Sequence, residues 1–224
     1  MQNKSHVLVI GDTHEPFCRR DYLDFCVDTA RRYNCSKVVH VGDVVDLHSV
    51  SYHEHNPNGM SPKQEVEEAK RRIAVWAKAF PEVLICKGNH DVLFDRLAIT
   101  YGIPEIAIKR YSEIFNLPDG WDFQWKHYIN GVAYEHGTGY SGRTPHITAA
   151  TINRCSTVIG HCHATGGVDF LANDTILIFG MSVGCGIDRM KYAFWYGKDF
   201  KHKPVISCGV VIDGREAIFV PMKI

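Results

Sequence analysis

The stretch VLVIGDTH, residues 7–14, decides the fold of this 224-residue chain. Its four consecutive apolar residues are typical of a strand that is buried on both faces. Gly11 and the polar residues Asp12 and His14 follow at once. Because glycine lets the backbone turn sharply, the stretch predicts a buried strand that ends by delivering polar side chains to the edge of a sheet.

The same pattern, an apolar strand followed by glycine and by Asp, His or Asn, occurs five times along the chain. The five polar segments are Gly11-Asp12-Thr13-His14, Gly42-Asp43, Gly88-Asn89-His90-Asp91, His136-Gly137 and Gly160-His161-Cys162-His163. In open α/β sheets, ligands bind outside the carboxyl ends of the strands. We therefore expect all five segments to meet at one edge.

Around these segments the first half of the chain alternates short β-like runs with helical periodicity, which predicts βαβ units. Residues 61–64 (SPKQ) form a predicted capping box with proline at the first helical position. The second half is strand-rich, with one strand expected over Trp121–Ile129 and a hairpin turn at Asn130-Gly131. The pattern predicts an α/β fold of two packed sheets with flanking helices, in a single domain over residues 1–224.

Composition excludes several classes of protein. With 45% hydrophobic and 22% charged residues, the chain is neither disordered nor collagen-like, and no apolar run approaches the roughly 18 residues of a membrane span. Lys+Arg and Asp+Glu both number 25, which argues against a broadly basic nucleic-acid-coating surface but leaves room for a local basic groove. Eight scattered cysteines and no recognisable signal peptide predict reduced thiols in a cytoplasmic protein.

The strand-end residues together form a set of metal-binding groups: Asp12, His14, Asp43, Asn89, His136, His161 and His163. Taken singly, each is also typical of a helix cap or a tight turn, so the joint pattern supports the inference. Mixed nitrogen and oxygen donors suit Mn²⁺, Fe, Zn²⁺ or Ni²⁺. Seven ligands exceed the need of one tetrahedral ion and suffice for two divalent metal ions bridged by a carboxylate, for which Asp43 is the natural candidate.

These residues resemble the signature of the calcineurin-like metallophosphoesterase superfamily. The matching blocks are Asp12-x-His14, Gly42-Asp43-x-x-Asp46, Gly88-Asn89-His90-Asp91, His136-Gly137 and Gly160-His161-x-His163, in the family's order. The resemblance implies a four-layer αββα sandwich of two mixed sheets. It also implies one metal held by Asp12, His14, Asp43 and His163, and a second held by Asp43, Asn89, His136 and His161.

The resemblance further implies a hydrolase of phosphate esters, in which a hydroxide bridging the two metals, Mn²⁺ in the first place, attacks the phosphorus atom. His90 would protonate the leaving group, and Asp91 would fix the tautomer of His90. The Ser/Thr protein phosphatase branch has Arg-Gly where this chain has Leu47-His48. That departure, together with Asp91 in place of glutamate, favours phosphodiesters in nucleotides or nucleic acid.

Substrate-binding residues must come from the segments between the motifs. His53 and His55 lie in the turn-rich stretch 49–61, and Arg143 lies in the glycine-containing stretch 137–145. These three residues are candidate substrate contacts, with ordinary solvated loop residues as the alternative.

A set of aromatic residues could stack bases, with Lys191, Lys198, Lys201 and Lys203 as phosphate contacts. The aromatic residues are Trp121, Trp125, Tyr128, Tyr192, Phe194, Trp195 and Tyr196. The alternative is that they belong to the core or to a subunit interface, such as that of a homodimer.

Two other functions remain open at this point. One is a phosphomonoesterase, and the other is a catalytically silent scaffold that retains the fold. The scaffold is disfavoured because the ligand residues and the acid histidine are all present.

Overall fold

A computed structural model of the chain describes residues 5–52, 54–191, 194 and 201–223. Within them, six strands form the first sheet in the order β11-β10-β1-β2-β3-β4. These are β1 (His6–Ile10), β2 (Lys37–His40), β3 (Val83–Cys86), β4 (Trp121–Gln124), β10 (Ser207–Ile212) and β11 (Glu216–Pro221). The strands β1 to β4 run parallel to one another, whereas β10 pairs antiparallel with both β1 and β11.

Five strands form the second sheet in the order β5-β6-β7-β9-β8. They are β5 (Lys126–Ile129), β6 (Val132–Glu135), β7 (Thr157–Ile159), β8 (Gly166–Ala172) and β9 (Leu177–Val183). Here β6, β7 and β9 are parallel, and β5 and β8 pair antiparallel at the edges. Both sheets are therefore mixed, as the sequence predicts.

In the part of the chain that the structure describes, five α-helices accompany the sheets: α1 (Tyr22–Arg32), α2 (Pro62–Ala79), α3 (Leu93–Thr100), α4 (Tyr111–Phe115) and α5 (Pro145–Asn153). The predicted capping box is confirmed at the start of α2, where Ser61 accepts a hydrogen bond from the backbone N–H of Gln64 and Pro62 is the first helical residue. None of the helices in the described part of the chain combines the length and apolar character needed to cross a membrane.

The alternation of side chains along β1 shows how the layers are built. Leu8 and Ile10 pack with Tyr22 of α1 and Ile73 of α2 in one core. Val7 and Val9 face the other way, into a second core shared with side chains of the second sheet such as Val158 and Met181. Since α5 lies against β7 and β9, the order of layers is helices, sheet, sheet, helix, and the predicted αββα sandwich is confirmed.

One predicted element is wrong. The single strand expected over Trp121–Ile129 is two strands, β4 and β5, which belong to different sheets. The chain crosses from one sheet to the other at Trp125. The apolar pattern of the sequence continues through this residue, so it does not reveal the change of sheet. The eight cysteines, all within the described ranges, are free thiols as predicted.

Candidate metal centre

All seven predicted ligands directly follow strands of the two sheets. Asp12 and His14 follow β1, Asp43 follows β2, Asn89 follows β3, His136 follows β6, and His161 and His163 follow β7. Because β1, β2 and β3 are mutually parallel, as are β6 and β7, their carboxyl ends lie at one edge of each sheet. The packed sheets bring these two edges together.

Four of the residues form a first cluster. Asp12, His14, Asp43 and His163 each contribute one donor atom to a group in which all the atoms lie within 4.8 Å of one another. The Nε2 atom of His163 is 3.0 Å from Oδ2 of Asp12 and 3.2 Å from Nε2 of His14. Three of these four residues, Asp12, His14 and Asp43, are fully buried. Solvent therefore does not reach them.

A second cluster shares Asp43 with the first. Asp43, His136 and His161 meet the same 4.8 Å criterion, and Nε2 of His136 is 3.0 Å from the amide oxygen of Asn89. The same atom, Oδ2 of Asp43, is 3.6 Å from His14 in the first cluster and 3.2 Å from His136 in the second. The structure therefore brings the seven residues together in two groups that meet at one carboxylate.

The donor atoms in this arrangement fit divalent cations. Nitrogen ligands lie about 2.0–2.1 Å from a metal such as zinc, so neighbouring ligands around one ion are roughly 3 Å apart. In each cluster two imidazole nitrogens face each other at 3.2 Å, His14 with His163 and His136 with His161. Moreover, Oδ1 of the fully buried Asp12 has no hydrogen-bond partner in the described part of the chain. A cation would satisfy these groups.

Electrostatics supports the same conclusion. Burial would raise the pKa of Asp43, but the nearby His136 and His90 more than offset this and hold it well below its usual range. Burial likewise opposes the charge on His136, and the carboxylates of Asp43 and Asp12 reverse this and raise the pKa of His136 to about 10. The two carboxylates thus stay ionised and attract positive charge. In the metal-free chain, that positive charge is the proton that His136 binds. Metal binding would displace that proton.

The backbone is shaped for this site. His14, Asp43 and His161 all have positive φ, at 48°, 49° and 61°, a conformation that costs non-glycine residues on the order of 1–3 kcal/mol. Left-handed backbone thus occurs at three of the proposed ligands: His14 in the first cluster, His161 in the second, and Asp43, which belongs to both. Gly88 is needed for another reason, because a Cβ atom there would overlap the carboxylate of Asp43.

Hydrogen bonds to the far ring nitrogens orient the histidine ligands. Nδ1 of His136 lies 2.9 Å from the carbonyl of Val41, an acceptor only, so Nδ1 carries the hydrogen and Nε2 is left for a metal. Nδ1 of His14 lies 2.6 Å from the carboxylate of Asp46, which is buried. Asp46 has a role that the sequence reasoning missed, although its position in the Gly-Asp-x-x-Asp block was the available signal.

His90 lies outside these two clusters and forms a third group of potential donor atoms with His14 and Asp46. Its backbone N–H donates to Oδ1 of Asp43 at 2.8 Å, and its Nδ1 donates to the backbone carbonyl of Asp46 at 2.5 Å. Since a carbonyl can only accept, Nδ1 keeps its hydrogen and Nε2 is the atom that can gain and lose a proton. Burial would lower the pKa of His90, but Asp43 and Asp46 together raise it above its ordinary value.

The role predicted for Asp91 is wrong in its geometry. The partner that fixes the tautomer of His90 is the Asp46 carbonyl, whereas the Asp91 carboxylate accepts hydrogen bonds from the backbone N–H groups of Gly88, Val44 and Val45. It also accepts one from the hydroxyl of Tyr111 at 2.8 Å. Asp91 therefore joins the turn after Asp43 to the turn that carries Asn89. Both of its carboxylate oxygens accept hydrogen bonds from these groups, and neither is paired with the ring of His90.

Two of the three predicted substrate residues, His55 and Arg143, lie outside the two clusters. His55 is exposed and its Nε2 donates to the carbonyl of Ser51 at 3.0 Å, and Arg143 is also exposed. His53 falls outside the described residues. Sequence reasoning did not predict the contact of Thr138, whose hydroxyl donates to the amide oxygen of Asn89 at 3.4 Å. It places the stretch 137–145 against the second cluster.

Many solved structures are similar to this chain, and three of them, at 11–14% identity, illustrate the range. Vacuolar Protein Sorting 29 from Cryptosporidium parvum is 13% identical with a TM-score of 0.47, and the alignment covers 99% of each chain. The phosphoesterase Yfce from E. coli is 14% identical with a TM-score of 0.45, covering 92% of this chain and 87% of the other. The Pseudomonas putida nuclease MPE is 11% identical with a TM-score of 0.39, covering 96% and 86%.

A search of curated proteins finds no match to the sequence. The family model described as calcineurin-like phosphoesterase, by contrast, matches residues 5–185, well over half of the chain and all of the strand ends that meet in the two clusters. The chain belongs to the calcineurin-like phosphoesterase family.

Proposed function

We propose that this protein is a hydrolase of phosphate esters that works with two divalent metal ions, Mn²⁺ in the first place, and prefers phosphodiesters. The observation that supports it most strongly is the pair of clusters sharing Asp43, with the ring of His90 beside them. Membership of the family supports a phosphoester hydrolase in general. The metal roles of Asp12, His14, Asp43, Asn89, His136, His161 and His163 are part of the proposal.

Two bound cations would supply a nucleophilic hydroxide at neutral pH and neutralise charge on the phosphoryl oxygens. The protein's part is to hold the donor atoms in place. Asp46 and the Val41 carbonyl fix the rings of His14 and His136, and Asp91 ties together the turns that carry Asp43 and Asn89.

His90 is the proposed general acid. Its Nδ1 is occupied by the Asp46 carbonyl, so its proton is delivered from Nε2 to the oxygen of the leaving group. The raised pKa of His90, caused by Asp43 and Asp46 against the effect of burial, keeps the acid form populated. General acid catalysis of this kind contributes about 10²–10⁴-fold to a rate.

The preference for diesters rests on charge. A phosphomonoester dianion needs more positive charge around it than a diester monoanion does, and the two clusters are built from carboxylates, imidazoles and one amide. The Ser/Thr protein phosphatase branch has an arginine at the position of Leu47. In this chain Leu47 is apolar and buried in the core. The chain therefore offers no guanidinium there to grip a second phosphate charge.

Comparison of bis-p-nitrophenyl phosphate with mono-p-nitrophenyl phosphate in Mn²⁺ tests the proposal. We expect a higher kcat/KM for the diester, and abolition of turnover by a chelator. A higher kcat/KM for the monoester would replace the diester preference with a phosphomonoesterase. Binding of two Mn²⁺ ions without hydrolysis of either compound would support a catalytically silent scaffold instead.

A further inference from the structure

A lysine and two aromatic rings lie together where β3 and β4 end. The strands pair in register up to Cys86 and Gln124, and the backbone N–H of Lys87 donates to the carbonyl of Gln124 at 2.7 Å. The ammonium group of Lys87 is 5.6 Å from the centre of the Phe123 ring and 5.5 Å from that of Trp125. One cation thus faces two rings at once.

Trp125 is unusual in its exposure. Trp125 is 64% exposed, whereas Trp121, the first residue of β4, is buried. Large aromatic side chains stabilise a protein chiefly by burial, so an exposed tryptophan contributes little of that stabilisation. The core alternative considered for the aromatic residues therefore applies to Trp121 and Phe194, and not to Trp125.

Strands flank Trp125 on both sides. It is the single residue between β4 and β5, so the chain before it is held by the first sheet and the chain after it by the second. A one-residue connection between two strands has less freedom than a longer loop. The exposed Trp125 is therefore held between the two sheets.

We propose that Lys87 and Trp125 form a subsite for single-stranded nucleic acid, in which a base stacks on Trp125 and a flanking phosphate binds Lys87. This inference rests on the proposed function and names its substrate class. Base–aromatic stacking combined with a nearby cation is the general basis of single-strand binding. No carboxylate of the described residues lies within ion-pair distance of the Lys87 ammonium, so its charge is available to a phosphate.

The subsite adjoins the metal centre through the chain. Lys87 is two residues from Asn89, so their backbones are at most about 7 Å apart, and Gly88 between them is held by Asp91. A strand whose scissile phosphate lies at the clusters could therefore place a neighbouring nucleotide on Trp125. The cavity of about 770 Å³ beside Lys87 is lined by acidic side chains, among them Asp95 and Glu105, and also by the basic Lys109 and Arg110.

Equilibrium binding by fluorescence anisotropy tests the subsite without hydrolysis. The probes are a labelled twelve-nucleotide oligothymidylate and an abasic strand of the same length, both in chelator. We expect Trp125→Ala to weaken binding of oligothymidylate by roughly 5–150-fold and to leave the abasic strand unchanged. We expect Lys87→Gln to weaken both probes and to lower the salt dependence by the equivalent of about one phosphate contact.

Tyr128→Ala is the matched control, because Tyr128 is equally exposed, at 66%, three residues further on. It should bind both probes as the unmodified chain does, and the melting temperature should show that all variants are folded. The proposal is overturned if Trp125→Ala binds oligothymidylate normally, if it loses the abasic strand equally, or if the unmodified chain binds neither probe.

Hydrolysis of bis-p-nitrophenyl phosphate, measured in parallel, separates this inference from the proposed function. If the unmodified chain hydrolyses the diester and Trp125→Ala binds oligothymidylate normally, the proposed function stands and the subsite is wrong. A chain that binds through Trp125 without hydrolysing the diester keeps the subsite and loses the function.

Discussion

The metal centre and the stretches that border it, residues 49–61 and 137–145, are built on different principles. In the candidate centre, the proposed ligands follow strands, and Asp12, His14, Asp43 and His136 are at most 2% exposed. In the bordering stretches His55 and Arg143 are exposed and belong to neither cluster. The centre is fixed by sheet topology, whereas the bordering stretches depend on local contacts. The predictions below test that difference, from the largest expected effect to the smallest.

Asp43→Ala should have the largest effect. Its carboxylate faces both clusters and also accepts the backbone N–H of His90, so one substitution disturbs both metal positions and the general acid. Loss of several kcal/mol of metal-assisted stabilisation corresponds to a fall in kcat/KM of at least about 10³-fold. Steady-state hydrolysis of bis-p-nitrophenyl phosphate measures it. Activity within tenfold of the unmodified chain would contradict the bridging role.

His90→Asn should come next, and it should separate chemistry from metal binding. We expect kcat to fall by about 10²–10⁴-fold, while Mn²⁺ affinity stays close to that of the unmodified chain because His90 lies outside both proposed ligand sets. Parallel kinetic and calorimetric titrations measure the two quantities. If His90→Asn lost metal as fully as Asp43→Ala does, the division of roles would be wrong.

Tyr111→Phe should have a moderate effect, because its hydroxyl donates to the carboxylate that joins two turns of the candidate centre. It keeps the ring stacked on Phe123, whose centre is 4.5 Å away, and removes only the hydroxyl that donates to Asp91. Hydrogen bonds to charged groups contribute about 1.5–3 kcal/mol, so the free energy of unfolding in urea should fall by about that amount. Mn²⁺ affinity should weaken several-fold as the turns joined by Asp91 loosen.

Tyr140→Phe provides the matched control for Tyr111→Phe. Its hydroxyl also donates to a carboxylate, Oε1 of Glu135 at 3.2 Å, but this pair takes no part in the bonds between the two turns. Its unfolding free energy should change by less than about 1 kcal/mol, with unchanged Mn²⁺ affinity. Equal effects of the two substitutions on metal affinity would contradict the role given to Tyr111 and Asp91.

His55→Ala and Arg143→Ala should have the smallest effects. Both residues are exposed, so their removal should leave stability and metal affinity unchanged. If they contact the substrate, KM should rise by up to about tenfold, roughly the 1.4 kcal/mol that one exposed charged contact can supply, with kcat preserved. A large fall in kcat would mean that these stretches belong to the catalytic machinery and that the two regions are not separate.

The sequence predicted which side chains meet at the ends of the strands. The five apolar runs, each followed by glycine and polar residues, were enough to bring seven side chains to one edge, because parallel strands end on the same side of a sheet. The break at Trp125 was not predictable, since nothing in the alternation marks a change of sheet. The partner of His90 was also missed, because it is a backbone carbonyl, that of Asp46, and a carbonyl leaves no mark in the residue pattern.

The central claim is that Asp12, His14, Asp43, Asn89, His136, His161 and His163 together hold two cations. Calorimetric titration of the chelator-treated chain with Mn²⁺ measures this most directly. The account predicts two ions bound per chain, with proton release, since His136 is protonated without metal. A stoichiometry of zero or one, or two ions still bound with unchanged affinity by Asp43→Ala, would contradict it.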